Sequence, residues 1–299
     1  MITLSNGHAF KYMVASGALA FDGKGWFWER PLVWLGLIKP ELFTVVIKSL
    51  TRNPRAGNLR WWKPWNCVRL IPGGSVNKVG LTNPGIEWWC RGVGPKLDFK
   101  KFPTAGSIFG DEKELVEMAE MLNRFSLVAL EVNVSCPNTG HAIEQAEMVV
   151  NSMKAVKHVS CHPVIVKVSA DQDYLIIARE LVGVAEAVSL NSVPWKTVFT
   201  NGEQTPLAKL EKQVGGGGGG VSGKPAQKHN WAAVESLSKQ GSLPMIGPSV
   251  MEFEDMKKLR RLGAKAISFG AIHLPTKGKP WTLFTNPCKP TLFIEKENM

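Results

Sequence analysis

Eight short apolar runs, separated by stretches of helical pattern, constrain this chain more than anything else in it. They lie at 13–16, 44–47, 106–109, 127–134, 163–168, 185–190, 244–246 and 266–269. The run Leu127-Val128-Ala129-Leu130-Glu131-Val132 is nearly continuous rather than alternating, as strands are when both faces of a parallel sheet are covered. Between the runs, Asp111 and Glu114 stand at capping-box spacing, and Leu115, Met118, Leu122 and Phe125 follow at helical intervals. Ile143, Ala146, Val149, Val150, Met153 and Val156 make a second stripe, and Phe253, Met256, Leu259 and Leu262 a third, stopped by Gly263. Eight strands alternating with helices in 299 residues predict one (β/α)8 barrel domain over 1–299, with long loops at the C-terminal face of the strands. The competing open, doubly wound sheet would carry a Gly-x-Gly-x-x-Gly turn after its first strand, and none is present. Two connections are long: 61–89, rich in Pro and Gly, and 195–223, which ends in six consecutive glycines at 215–220. Long loops in a compact domain serve as lids or binding loops. Taken alone, the glycine run reads equally well as a flexible linker; in a barrel it falls after the sixth strand, on the face that carries function.

The net charge of +11 suits nucleic acid, an anionic membrane, or an anionic substrate and cofactor, and no short basic block chooses among them. No apolar run approaches the ~20 residues that span a bilayer. The first eight residues show neither the basic nor the apolar part of a secretion signal. Five cysteines, with no CxxC pair and no zinc or iron–sulfur spacing, read as reduced thiols of a cytoplasmic chain. Eight of eleven tryptophans lie in the first 89 residues, where Trp61, Trp62, Trp65, Trp88 and Trp89 are interleaved with Arg60, Lys63, Arg69 and Arg91. Such a cluster can stack nucleic-acid bases, but a subunit contact or the cover of a barrel end is the better reading.

The fourth run ends in Asn133-Val134-Ser135-Cys136-Pro137-Asn138. A lone cysteine in a Pro-terminated turn is more often a structural thiol. At a strand end between two asparagines, however, it is placed to touch a ligand, and a cysteine serves as general base once its pKa is matched to the task. Each asparagine offers one acceptor and two donors, which suits the alternating edge of a cyclic imide or urea. Lys167 lies inside Val164-Ile165-Val166-Lys167-Val168, where an ammonium needs an anionic partner. His229 is expected at a solvent-facing helix start, and Asp171 and Asp173 as caps. Asp111, Glu112, Glu252 and Glu254 read as helix-start charges favoured by the dipole.

Seven motifs follow in order: Ala15-Ser16-Gly17, Lys48-Ser49, Asn77-x-x-Gly80-Leu81-x-Asn83, the 133–138 segment, Lys167, Asn191-Ser192, and Gly219-Gly220-Val221-Ser222-Gly223. Each is weak alone; each falls at a strand end or in the loop after one, and together they are specific. Over about residues 13–274 the chain resembles the dihydroorotate dehydrogenase family, soluble cysteine-base (class 1) type. The resemblance implies an FMN-dependent (β/α)8 barrel that oxidises dihydroorotate to orotate in pyrimidine biosynthesis. It implies Cys136 as the base for the C5 proton while C6 delivers a hydride to flavin N5, and Lys48 reaching both flavin and the substrate carboxylate. Asn77, Gly80, Leu81, Asn133, Asn138, Asn191 and Ser192 would surround the pyrimidine. Ala15, Ser16, Gly17, Lys48, Ser49, Asn133, Lys167, Gly223, Gly247, Ser249, Gly270 and Ala271 would contact FMN, with Lys167 beside flavin N1 and O2.

The chain departs from the family in the loops that hold the FMN phosphate. Gly247-Pro248-Ser249 stands where a Gly-Gly pair is expected, and proline has no N–H to give. Ser249 could compensate with its own N–H and hydroxyl. Gly270-Ala271 stands where Gly-Thr is common, losing a hydroxyl but no backbone donor. The resemblance further implies a homodimer, no membrane or nucleic-acid partner, and reoxidation by fumarate, a quinone, or NAD through an iron–sulfur partner subunit. Two other readings are a tRNA dihydrouridine synthase-like reductase, favoured by the basic aromatic cluster, and a flavin-binding barrel without activity, motivated by the altered phosphate loop.

Overall fold

A computed structural model describes residues 1–60, 62–135 and 146–299. Trp61, Cys136, Asn138 and Ile143 lie outside the described residues. The chain forms a ring of eight parallel strands: β1 Tyr12–Val14, β2 Thr44–Val46, β3 Thr104–Ile108, β4 Ala129–Asn133, β5 Val164–Val168, β6 Ala187–Leu190, β7 Ile246–Gly247 and β8 Ala266–Phe269. Sequence neighbours pair from β1 to β6, β7 pairs β8, and β8 returns to β1. The ring closes where the Val188 N–H donates to the Pro244 carbonyl at 3.0 Å. Each of the eight apolar runs overlaps one strand.

The helices form where the sequence pattern predicts them. Asp111 accepts from the Glu114 N–H at 2.9 Å, and the Glu114 carboxylate receives the Asp111 N–H at 3.2 Å, starting the helix Glu112–Leu122. Its stripe of Leu115, Met118 and Leu122 is fully buried against the barrel. The helix Phe253–Arg261 is ended by Gly263, whose φ of +99° is the left-handed region glycine occupies at little cost. Among the described residues, no helix is long and apolar enough to cross a membrane.

Period-2 alternation sorts the strand residues into layers. Met13, Val46, Ala105, Ala129, Ile165, Ala187, Ile246 and Ala266, one from each strand, pack inside the ring with Ile2, Leu4 and Phe10 of the N-terminal hairpin. Alternate residues such as Val14, Val45, Leu130, Val132, Val166 and Ile267 face outward and join the core beneath the helices. Two positions further along, the inward face turns polar: Lys48, Ser107, Glu131, Lys167, Ser189 and Ser268. Asn133 and Asn191 follow one step higher. The barrel is thus apolar below and polar above, and the polarity marks its working end.

The long connections are more ordered than their composition suggests. Strands Val68–Ile71 and Gly74–Asn77 form a hairpin, and Gly220–Gly223 pairs antiparallel with its second arm, with Val193–Pro194 alongside. A small core of Ile71, Val76, Trp195, Leu207 and Val221 supports this sheet. The glycine run is not a linker: Gly215, Gly216, Gly217, Gly218 and Gly219 all hold positive φ, from +64° to +98°. At Gly219 a Cβ would also come within 2.8 Å of the Asn77 carbonyl oxygen. Five consecutive left-handed residues exclude L side chains, so conformation rather than flexibility dictates the glycines.

Two smaller expectations are corrected. His229 lies half-buried within the helix Lys224–Gln240, not at its start. Asp173 makes no side-chain cap bond, and Asp171 instead accepts from the Thr197 hydroxyl at 2.8 Å. Of the described tryptophans at 62–89, Trp89 is fully buried and donates to the Phe21 carbonyl, while Trp62, Trp65 and Trp88 are exposed.

Candidate active site

Four members of the polar layer, Ser107, Glu131, Lys167 and Ser189, join Ser16 and Ser49 in one connected chain of side chains. Ser16 Oγ donates to the Ile47 carbonyl at 2.9 Å and lies 3.0 Å from Ser49 Oγ, which lies 2.8 Å from Ser107 Oγ. Ser107 donates to Glu131 Oε1 at 3.2 Å, and Ser189 donates to Glu131 Oε2 at 3.0 Å. Lys167 Nζ donates to Glu131 Oε1 at 3.3 Å. The anionic partner expected for Lys167 is therefore Glu131, only 2% exposed inside the barrel. Sequence reasoning missed Glu131, Ser107 and Ser189. The available signal was an acidic residue in a strand, two positions before Asn133 and hence on the same face.

Lys48 follows β2 and is half-buried. Its backbone N–H donates to the Ala20 carbonyl at 2.8 Å, and its stem runs past Gly17, where a Cβ would stand 3.6 Å from Lys48 Cγ. Gly270 faces β1 closely, a Cβ there coming 3.2 Å from that of Ala15.

A second chain of contacts joins the strand-end amides. Asn133 Oδ1 accepts from the Ser135 N–H and hydroxyl at 3.3 and 3.0 Å, and Asn191 Nδ2 donates to the Ser135 carbonyl at 3.3 Å. Asn230 Nδ2 then donates to the Asn191 carbonyl and to Ser249 Oγ, at 3.3 and 3.1 Å. Gln227 donates to the Ser249 carbonyl and Trp231 to that of Pro248. Gln227, Asn230 and Trp231 share one helix face through i, i+3, i+4 spacing, and together they hold the loop after β7. None of the three was singled out from the sequence.

Other predicted residues have roles the structure makes specific. Asn77 Nδ2 donates to the Gly220 carbonyl at 3.3 Å, placing it over the glycine segment. Gly80 and Leu81 form a left-handed turn whose described contacts are with Asn58 and Asn83 rather than with the strand-end amides. Gly247 lets the helix Phe253–Arg261 approach, because a Cβ there would come 2.9 Å from Ala264 and 3.0 Å from Leu259. Gly223, with φ +90°, lies where a Cβ would come 2.6 Å from the Gly73 carbonyl oxygen. Ser192 is half-buried beside Asn191, and Ala271 opens the 3-10 turn Ala271–His273.

Two observations fit this end of the barrel to a polar ligand. The three described non-glycine residues with positive φ are Ala20, Leu81 and Ser249, at +60°, +56° and +66°. All three lie in its loops, and backbone strain of this kind gathers at binding and catalytic sites. Ser75 Oγ, two residues before Asn77 and on its face of the strand, is buried with no hydrogen-bond partner among the described residues. A stranded buried hydroxyl costs about 1–3 kcal/mol, which a ligand atom there would offset. Three thiols elsewhere are poorly suited to proton abstraction: burial pushes Cys67 up to about 11, and burial also raises Cys90 and Cys288.

The family model for dihydroorotate dehydrogenase matches residues 33–273. A protein of Desulforudis audaxviator named dihydroorotate dehydrogenase B (NAD(+)), catalytic subunit, is 31% identical over 277 residues, covering 89% of this chain and 83% of its own. A Geobacillus kaustophilus protein of the same name is 30% identical over 241 residues, covering 78% and 74%. A Pediococcus pentosaceus protein provisionally named dihydroorotate dehydrogenase A (fumarate) is 32% identical over 248 residues, covering 78% and 77%.

Proposed function

The chain belongs to the dihydroorotate dehydrogenase family, and on that premise we propose that it oxidises dihydroorotate to orotate on FMN, with Cys136 as the base. The carrying observation is that the matched span brings Lys48, Asn133, Lys167 and Asn191 to one end of a closed barrel. Bound there, the flavin supplies a two-electron hydride acceptor. The chain supplies the rest. Cys136 Sγ takes the C5 proton as the C6 hydride leaves, so that the C5–C6 bond becomes double. Asn77, Asn133, Asn138 and Asn191 pair with the imide edges of the ring, and Lys48 neutralises the carboxylate. Lys167, held by Glu131, keeps a buried positive charge where negative charge develops on reduction. Ser249, Gly270 and Ala271 offer backbone N–H groups to the phosphate, the usual place for one in this fold.

The test is anaerobic mixing of the purified flavoprotein with dihydroorotate: loss of the flavin colour supports the reading, and colour retained overturns it. Orotate is expected to perturb the flavin spectrum, and uracil, lacking the carboxylate, to bind far more weakly. Equal affinity for the two removes Lys48 from carboxylate binding, and reoxidation driven only by a folded tRNA points to the reductase reading. Relatives of both acceptor types match this chain, so the reduced protein is next offered fumarate. Rapid reoxidation by fumarate alone groups it with the Pediococcus relative; its absence groups it with the relatives named as catalytic subunits.

Ser249→Gly tests the altered phosphate loop. The left-handed φ costs a non-glycine residue roughly 1–2 kcal/mol, and the substitution relieves it while losing the Asn230 contact. Thermal stability is expected to stay within about 1 kcal/mol of the parent, with flavin retained on dilution. A tenfold loss of flavin affinity would instead make the Ser249 hydroxyl a phosphate ligand.

A further inference from the structure

Lys78 is a lysine with almost no surface: it is 1% exposed, one of the largest fully buried side chains in the protein. Its ammonium is paired with Glu211, whose side chain is 27% exposed. Lys78 follows Asn77 directly at the end of the hairpin, with its N–H on the Cys67 carbonyl at 2.7 Å and its own carbonyl accepting from Asn58 at 2.8 Å. Glu211 belongs to the helix Ala208–Val214, and its second carboxylate oxygen accepts from the Gly217 N–H at 2.9 Å. The glycine segment continues into Gly220–Gly223, which pairs with Gly74–Asn77, and Asn77 Nδ2 returns to the Gly220 carbonyl. The contacts close a ring: Asn77, Lys78, Glu211, Gly217, Gly220, and back to Asn77.

We infer that Lys78 and Glu211 are a positioning pair, which locks the hairpin to the glycine segment and thereby fixes Asn77 over the barrel mouth. Residues 77 and 78 point to opposite faces of the strand. Val76, on the face of Lys78, packs in the small core with Trp195 and Leu207. The pair therefore lies behind the site and acts on substrate only through Asn77. A hydrophobic pair would fill the same space without the cost of desolvating two charges. What the ion pair adds is register, because one carboxylate must meet both the ammonium and the Gly217 N–H. This inference rests on the proposed role of Asn77.

The experiment compares Glu211→Gln with the double variant Lys78→Met/Glu211→Leu. The double variant removes both charges, so a failure of the single variant to fold does not decide the matter. In the double variant, hydrogen exchange at 74–77 and 217–220 is expected to speed up while the barrel strands stay protected. Orotate affinity is expected to fall about tenfold, and Asn77→Ala added to it should cost little more, the non-additivity of residues acting as a unit. A role in stability alone predicts losses that multiply; that result, or unchanged exchange, overturns the inference. If the parent binds no orotate, the functional reading fails, and the exchange arm alone decides the lock.

Discussion

Cys136→Ala is expected to retain flavin and bind orotate, yet to reduce flavin with dihydroorotate about 10²–10⁴-fold more slowly, the usual contribution of a positioned acid–base group. The reason is chemical: alanine cannot accept the C5 proton, whereas the amides and cations proposed to bind the ring are untouched. Cys136→Ser should be a slower enzyme that regains rate as pH rises, because a hydroxyl is the weaker base. Single-turnover flavin bleaching under anaerobic conditions reads both. Bleaching at the parent rate in the alanine variant would take Cys136 out of the mechanism and leave the proton to another group.

Lys167→Met is expected to cost about 3–5 kcal/mol of stability, because it strands the Glu131 carboxylate inside the barrel. Among the described residues, Glu131 would keep only the Ser107 and Ser189 hydroxyls as donors. Adding Glu131→Leu removes the stranded charge and should recover most of that loss, since replacing a whole buried ion pair by apolar side chains is often neutral. Flavin affinity should not recover, because the ammonium proposed to face the cofactor is missing from both variants. Thermal unfolding and flavin retention therefore part company in the double variant. Recovery of flavin together with stability would show that Lys167 serves the barrel alone.

The pattern of period 2 and period 3.6 made the fold legible. All eight strands, the capped helix Glu112–Leu122 and the Gly263-stopped helix Phe253–Arg261 followed from apolar runs, a capping box and a terminal glycine, each a local signal. The same local reading failed in the connections. Arg69 and a Pro-Gly-Gly turn hide the hairpin at 68–77, and the glycine run carries no hydrophobic pattern at all. Their order comes from pairing across more than 140 residues, Asn77 with Gly220, which no window of sequence contains.

The site divides in the same way. The sequence by itself determined the barrel and the types of group at its mouth: amides, lysines and glycines at strand ends. Only the tertiary structure decided who meets whom. The partner of Lys167 is Glu131 on the neighbouring strand, the support of Ser249 is Asn230 on the preceding helix, and the anchor behind Asn77 is Glu211 across the sheet. The physical reason is that strand and helix periodicity are properties of neighbouring residues. Burial of a charge beside its counter-charge depends on which strands lie together in the closed ring, and that is set by the whole chain at once.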